Sequence, residues 1–259
     1  MIKAVFFDMD GTLVAYPEGI IPLSARKAIE KLREKGILIC LATGRHRVEL
    51  ESLDFLGTVS FDAVASLNGQ YCYTPKAELF SNTIAAQDLS AFLDYQNKQI
   101  VPCVISEKNR MYCNVVSEGF SQAMAGISTA LPEVGTMAGL EKRDVLQFCA
   151  YCNENVAEDL DKAMPSAKVV RWNPDFVDII PQSGGKTNGI AKILQHFNIT
   201  WQEVIAFGDG QNDIDMLKAA EISVAMGNAD PKLKEHAAYI TGDANKDGIA
   251  LGLQHFGLC

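Results

Sequence analysis

Ala4-Val5-Phe6-Phe7 is apolar at every position and runs straight into Asp8-Met9-Asp10-Gly11. A short, continuous apolar run fits a strand covered on both faces, as in a parallel sheet flanked by helices. The same grammar follows. Pro22-Leu23-Ser24 opens a helix with Ala25, Ala28, Ile29 and Leu32 on one stripe, and Gly36 closes it. Ile37–Ala42 is a second strand, ending in Thr43-Gly44-Arg45. Asp62–Leu67 is a third, turned by Asn68-Gly69. Strand, helix and strand in this order form a βαβ unit.

The C-terminal quarter repeats the pattern. Thr187–Phe197 is a helix with Ile190, Ile193 and Leu194 on one face. Val204–Phe207 is a strand ending in Gly208-Asp209-Gly210, and Asn212–Ala220 is a helix. Ile222–Met226 and Ala238–Thr241 are further strands. The middle differs. Helical stretches at Ala86–Lys98 and Glu118–Leu131 mix with strands at Pro102–Ile105, Arg110–Val115, Asp144–Tyr151, Lys168–Trp172 and Val177–Pro181. We expect an α/β, Rossmann-like core with a parallel sheet, made of residues 1–82 and 185–259. An α+β domain, residues 83–184, is inserted into it. Hinges are expected at Ser81–Thr83 and Pro181–Gly185.

Composition removes several function classes. A net charge of −9 disfavours nucleic acid, whose phosphate backbone needs a basic surface. Any anion site must then be local. No apolar run reaches the roughly 20 residues that span a bilayer, and Met1–Val5 has no signal-peptide layout, so a cytoplasmic protein is expected. The seven cysteines lie mostly in apolar strings and read as small core side chains. Cys149-Ala150-Tyr151-Cys152 has redox spacing, but on a strand its two thiols face opposite ways. No histidine pairs with another ligand at zinc spacing.

In an open α/β sheet, ligands bind at the carboxyl ends of the strands. Asp8 and Asp10 end the first strand there, Thr43, Gly44 and Arg45 the second, and Asp209, Asn212 and Asp213 the strand at Val204. Lys186 enters the helix at Thr187. Acids crowded at one edge repel, and they coexist ionised around a hard divalent cation. Few carboxylates with small amides and hydroxyls suit Mg²⁺, which takes a substrate phosphate as a further ligand. Thr43, Lys186 and Asn212 would supply donors to that phosphate, and a carboxylate beside it is a candidate nucleophile. Ser183-Gly184-Gly185-Lys186-Thr187 resembles the end of a P-loop, but position 180, where that loop needs glycine, is Ile180.

Phe7-Asp8-Met9-Asp10-Gly11-Thr12-Leu13 resembles the first motif of the haloacid dehalogenase-like (HAD) hydrolases. Ala42-Thr43-Gly44-Arg45 resembles the second motif and Lys186 the third. Gly208-Asp209-Gly210-Gln211-Asn212-Asp213 resembles the fourth. The insertion between the second and third motifs is similar to the C2B-type cap of Cof-type phosphatases, including bacterial hexose phosphate phosphatases. The resemblance implies Asp8 as nucleophile and Asp10 as acid, then base. It implies Mg²⁺ held by the Asp8 carboxylate, the Asp10 carbonyl and Asp209, with Asp213 holding bound water or orienting Lys186. Phosphate would be bound by the Met9 and Gly44 backbone, Thr43, Lys186 and Asn212. Arg45 would reach the substrate or form an ion pair, and Trp172 would stack on a sugar or pack in the core.

The partner expected is a small phosphate ester. Two alternatives stand beside a sugar phosphatase: a phosphomutase of the same superfamily, and a receiver-like module switched by phosphorylation of Asp8. The sequence leaves the exact substrate and the oligomeric state open.

Overall fold

A computed structural model describes every residue except 54, 55, 57, 127, 128 and 173. The chain forms two compact units, Met1–Phe80 with Gly185–Cys259, and Ser81–Gly184.

The first unit opens with β1 (Ala4–Phe7), α1 (Leu23–Glu34), β2 (Leu38–Ala42), α2 (Arg47–Glu51), β3 (Ala63–Ser66), β4 (Tyr71–Tyr73) and β5 (Glu78–Ser81). The second unit contains α3 (Ala86–Lys98), β6 (Cys103–Glu107), β7 (Arg110–Cys113), α4 (Glu118–Gly126), β8 (Val145–Tyr151), α5 (Glu154–Ala163), β9 (Ala167–Arg171) and β10 (Phe176–Pro181). The first unit then resumes with α6 (Lys186–Phe197), β11 (Val204–Gly208), α7 (Ile214–Ala219), β12 (Ile222–Ala225), α8 (Pro231–Lys234), β13 (Tyr239–Ile240) and α9 (Gly248–His255).

The first unit is built on a sheet of order β13-β12-β11-β1-β2-β3-β4-β5. β1 lies between β11 and β2 and is parallel to both. All four of its residues are buried, which is why none is polar. The register aligns the strand ends: Phe7 pairs with Phe207 of β11 and with Leu41 of β2. Asp8, Asp209 and Thr43 therefore emerge at one edge, each within two residues of that line. β4 runs antiparallel to β3, so the sheet is parallel from β13 to β3 and then reverses.

α1 buries the expected stripe of Ala25, Ala28, Ile29 and Leu32. α9 lies outside the sequence reading. Gly248 and Gly252 lower its helix propensity, by roughly 1 kcal/mol each relative to alanine. Gly252 is required by packing, because a Cβ there would sit 2.7 Å from the Phe207 ring. α5 was equally hard to read: it buries only Val156, Ala157 and Leu160, and charges fill much of its surface.

The second unit has an antiparallel sheet of order β7-β6-β8-β10-β9. One face packs Ile105, Phe148 and Ile179 against Leu89 and Phe92 of α3 and Leu160 of α5. The other packs Val104, Cys113 and Phe176 against Phe120 and Met124 of α4. Of the helical stretch expected at Glu118–Leu131, the described helix covers Glu118–Gly126, residues 127 and 128 lie outside the described residues, and residues 129–131 are not helical. Cys149 joins the α4 face and Cys152 the opposite one, so the pair does not form a redox centre. All seven cysteines are free thiols. No helix among the described residues is long and apolar enough to cross a membrane.

Candidate active site

Two buried acids, Asp8 and Asp213, a half-buried one, Asp209, and one lysine meet at the carboxyl edge of the first unit. Asp8 is the first residue after β1, and its N–H continues the ladder by donating to the Phe207 carbonyl at 3.0 Å. Lys186 is the first residue of α6. Its Nζ lies 2.5 Å from Asp8 Oδ1 and 2.6 Å from Asp213 Oδ1. Asp213 is fully buried, and its Oδ2 accepts from the N–H groups of Asp209 at 3.1 Å and Gly210 at 3.0 Å. Thr12 Oγ1 donates to Asp209 Oδ1 at 2.9 Å. Oxygens of Asp8, Asp209 and Asp213 all lie within 4.8 Å of one another.

Gly11 makes this approach possible. Its φ is +85°, and a Cβ there would lie 2.3 Å from Asp209 Oδ2. Backbone conformation and space both exclude a larger residue. Asn228 secures the same turn, donating from Nδ2 to the Gly11 carbonyl at 2.8 Å.

The electrostatics follow from crowding. Burial raises the Asp8 pKa well above the ordinary carboxylate range, Asp213 adds to the rise, and Lys186 only partly offsets it. Burial and then Asp213 push Asp209 up to about 7, against the opposing hydrogen bond from Thr12. Burial works against the Lys186 charge, but Asp213 and Asp8 outweigh it and raise its pKa. Three acids against one lysine leave two formal negative charges, the charge of one divalent cation.

Lys186→Met is expected to cost about 3–5 kcal/mol, because it leaves Asp8 and Asp213 buried without a cation. Urea unfolding in EDTA measures this, and an unchanged midpoint would contradict it.

Asp10 has a separate environment. Its carboxylate is not among the three clustered acids. Arg45 grips it with two hydrogen bonds, both 2.8 Å, and Tyr16 Oη donates to Oδ1 at 2.5 Å. Of the two roles expected for Arg45, the structure shows the ion pair, and its partner is Asp10. The four-acid metal set is therefore narrower in its side chains, with Asp8, Asp209 and Asp213 together and the Asp10 side chain turned to Arg45.

The Thr43 turn lies alongside. The Thr43 hydroxyl accepts from Arg45 N–H at 3.1 Å, and its carbonyl accepts from Asn68 N–H at 2.9 Å. Asn212 Nδ2 donates to Asn68 Oδ1 at 3.3 Å, and the Asn68 amide lies beside Gly44. Met9 is fully buried, and its side chain belongs to the hydrophobic core. Sequence reasoning did not assign Asn68, Thr12, Tyr16 or Asn228 to the site. Only Asn68 carried a signal: asparagine tolerates the left-handed conformation that follows β3, and its φ is +52°.

In the second unit, Trp172 stacks on Phe176 with centroids 5.8 Å apart and is 39% exposed. Arg171 is tied to Glu154 at 2.7 Å and to the Pro174 carbonyl at 2.9 Å. Asn173, which follows Trp172 in the sequence, lies outside the described residues. A cavity of about 470 Å³ in the first unit is lined by Leu41, Leu50, Tyr71 and Tyr73 with Arg47 and Glu78, and none of the site acids lines it.

The sequence model of the haloacid dehalogenase-like hydrolases matches residues 5–253, and the chain belongs to that family. It is, more narrowly, a phosphatase, a phosphoric monoester hydrolase. The sugar phosphatase BT4131, of HAD subclass IIB, has a solved structure that superimposes with a TM-score of 0.89. It shares 31% identity, covering 99% of this chain and 100% of that one. YkrA of Bacillus subtilis, provisionally named a phosphatase, is 30% identical over 99% of this chain and 98% of its own length. The 5-amino-6-(5-phospho-D-ribitylamino)uracil phosphatase YcsE of the same organism is 28% identical over 98% of this chain and 96% of its own.

Proposed function

We propose that the protein is a Mg²⁺-dependent phosphatase of sugar or other polyol phosphates that works through an aspartyl-phosphate on Asp8. The observation that carries this is the separation of acids: three cluster within 4.8 Å of one another, two of them paired with Lys186, while Asp10 stands apart on Arg45 and Tyr16. Two related phosphatases support the substrate class, since a sugar and a ribityl chain are both polyhydroxylated leaving groups.

The donor set fits Mg²⁺: hard oxygen ligands, two surplus negative charges, and two acids that burial and repulsion drive toward protonation. Asp8, Asp209 and the Asp10 carbonyl would hold the ion, with Asp213 ordering its surroundings and Lys186. Bound there, the ion supplies charge neutralisation and orientation of the phosphoryl group.

The chain's own residues do the rest. Asp8 attacks phosphorus, and the bond to the leaving oxygen breaks. The leaving oxygen takes the bond's electron pair and a proton from Asp10. Water then attacks the aspartyl-phosphate and gives its proton to Asp10, which frees Asp8. Thr43, the Gly44 and Met9 N–H groups, Lys186 and Asn212 bind the phosphoryl oxygens.

A phosphate-release screen over sugar phosphates, nucleotides and vitamin phosphates, with and without Mg²⁺, tests the reading. Mg²⁺-dependent release, highest for sugar or polyol phosphates, is expected. Equal release in EDTA would contradict it. Transfer of the phosphoryl group to a second sugar hydroxyl, with little free phosphate, would favour a mutase.

Linkage gives a second test. A carboxyl group with a raised native pKa stabilises the fold below its unfolded value, near 4, and loses that contribution as pH climbs through the native value. For Asp209 that window runs from about 4 to about 7. In EDTA, the Tm of wild type relative to Asp209→Asn is expected to fall across this window, and Mg²⁺ is expected to restore it. A flat difference, or no Mg²⁺ response, would contradict the assignment.

A further inference from the structure

Three hydrogen bonds from two residues hold the Asp10 carboxylate. Arg45 Nε donates to Oδ2 and Nη2 to Oδ1, each at 2.8 Å, and Tyr16 Oη donates to Oδ1 at 2.5 Å. A forked guanidinium fixes the carboxylate plane as well as its position. The two donors also lie together, with Arg45 Nη2 3.5 Å from Tyr16 Oη.

Each donor is anchored by its backbone. Arg45 N–H donates to the Thr43 hydroxyl. The bridges Asp10 to Val14 and Ala15 to Ile20 fold the loop back and bring Tyr16 over Asp10. Asn245 Nδ2 donates to the Tyr16 carbonyl at 3.4 Å.

The arrangement leaves Asp10 reachable. Its side chain is 36% exposed. A carboxylate has about four lone-pair sites. Three are occupied here, two on Oδ1 and one on Oδ2, so Oδ2 keeps one for the leaving oxygen. The Asp10 carboxylate is also not among the acids that cluster with Asp8 within 4.8 Å of one another, which suits an acid that must meet the leaving oxygen beyond the phosphorus.

We propose that Tyr16 and Arg45 are positioning residues for Asp10, fixing its carboxylate in the orientation that meets the leaving-group oxygen. The inference rests on the reading of Asp10 as the leaving-group acid. Neither residue touches a reacting atom. When the P–O bond breaks, its electron pair goes to the leaving oxygen, which takes the proton that Asp10 presents. A poorly basic nitrophenolate leaves without that proton, and a sugar alkoxide does not. Misplacing Asp10 therefore harms the two substrates unequally.

The test compares kcat/KM for the best sugar phosphate of the screen with kcat/KM for p-nitrophenyl phosphate. The proteins are wild type, Tyr16→Phe, Arg45→Lys, Asp10→Asn and the double variant Tyr16→Phe/Asp10→Asn. Tyr16→Phe and Arg45→Lys are expected to lower the sugar phosphate value at least about ten-fold more than the nitrophenyl value. Lysine keeps the charge of Arg45 but not its fork. In the Asp10→Asn background, Tyr16→Phe is expected to add nothing.

Equal losses on both substrates would overturn the inference, since damage to the fold or to phosphate binding acts on both alike. No loss, or additive losses with Asp10→Asn, would also overturn it. If Asp10→Asn itself fails to discriminate between the substrates, the reading of Asp10 falls, and this inference with it. If Asp10→Asn discriminates and Tyr16→Phe does not, the inference alone falls.

Discussion

Asp8→Asn is expected to lower phosphate release on the order of 10⁴- to 10⁶-fold, the range seen when a covalent nucleophile is removed. The folded protein should survive the change. Asparagine has nearly the same shape, and Lys186 keeps Asp213 at 2.6 Å. One of three crowded acids is neutralised, which removes the buried charge at position 8 that Asp213 and Asp209 disfavour. Activity is therefore expected to vanish while Tm in EDTA holds or rises. Steady-state phosphate release and thermal melts on one preparation separate the two effects. Retained activity would exclude Asp8 as nucleophile, and activity lost together with Tm would reduce the result to unfolding.

Asp10→Asn is expected to lower kcat/KM on sugar phosphates by about 10²- to 10⁴-fold, the usual contribution of a positioned acid or base. On p-nitrophenyl phosphate the first step needs no acid, so its kcat/KM should fall far less. The second step still lacks its base. A burst of nitrophenolate, one equivalent per protein and followed by slow turnover, is the expected signature. Its absence, with equal losses on both substrates, would mean that Asp10 only supports the site. Asparagine also loses the ion pair with Arg45, but that pair is partly exposed and contributes modestly to stability.

The candidate site was legible because its residues sit at strand ends, where a sequence announces them. Asp8, Thr43 and Asp209 each follow an apolar run, and parallel register brings such positions to one edge. α3 matches its expected span from Ala86 to Lys98, since Leu89 and Phe92 sit at helical spacing among polar residues. Pairings across loops were not legible. Nothing in Asp10, Tyr16 and Arg45 as letters reveals that one carboxylate is shared by a phenol and a guanidinium. That contact depends on how residues 11–20 fold back, which side-chain periodicity does not encode. Asn68 was readable as a turn former, but its place between Gly44 and Asn212 depends on sheet register. α9 was obscured by the glycine that lets it pack on Phe207.

The receiver-like alternative shares clustered acids and a lysine with this site. The family match over residues 5–253 and the phosphatase relatives set it aside. A receiver would also retain its acyl-phosphate, whereas the role proposed for Asp10 is that of a base that discharges it.

The most direct measurement is acid quench of wild type during turnover with phosphoryl-labelled substrate, followed by mass spectrometry of the peptide that carries the label. The label is expected on Asp8, and it should disappear at the turnover rate when unlabelled substrate is added. Full turnover with no labelled protein, or label on any residue other than Asp8, would contradict the mechanism.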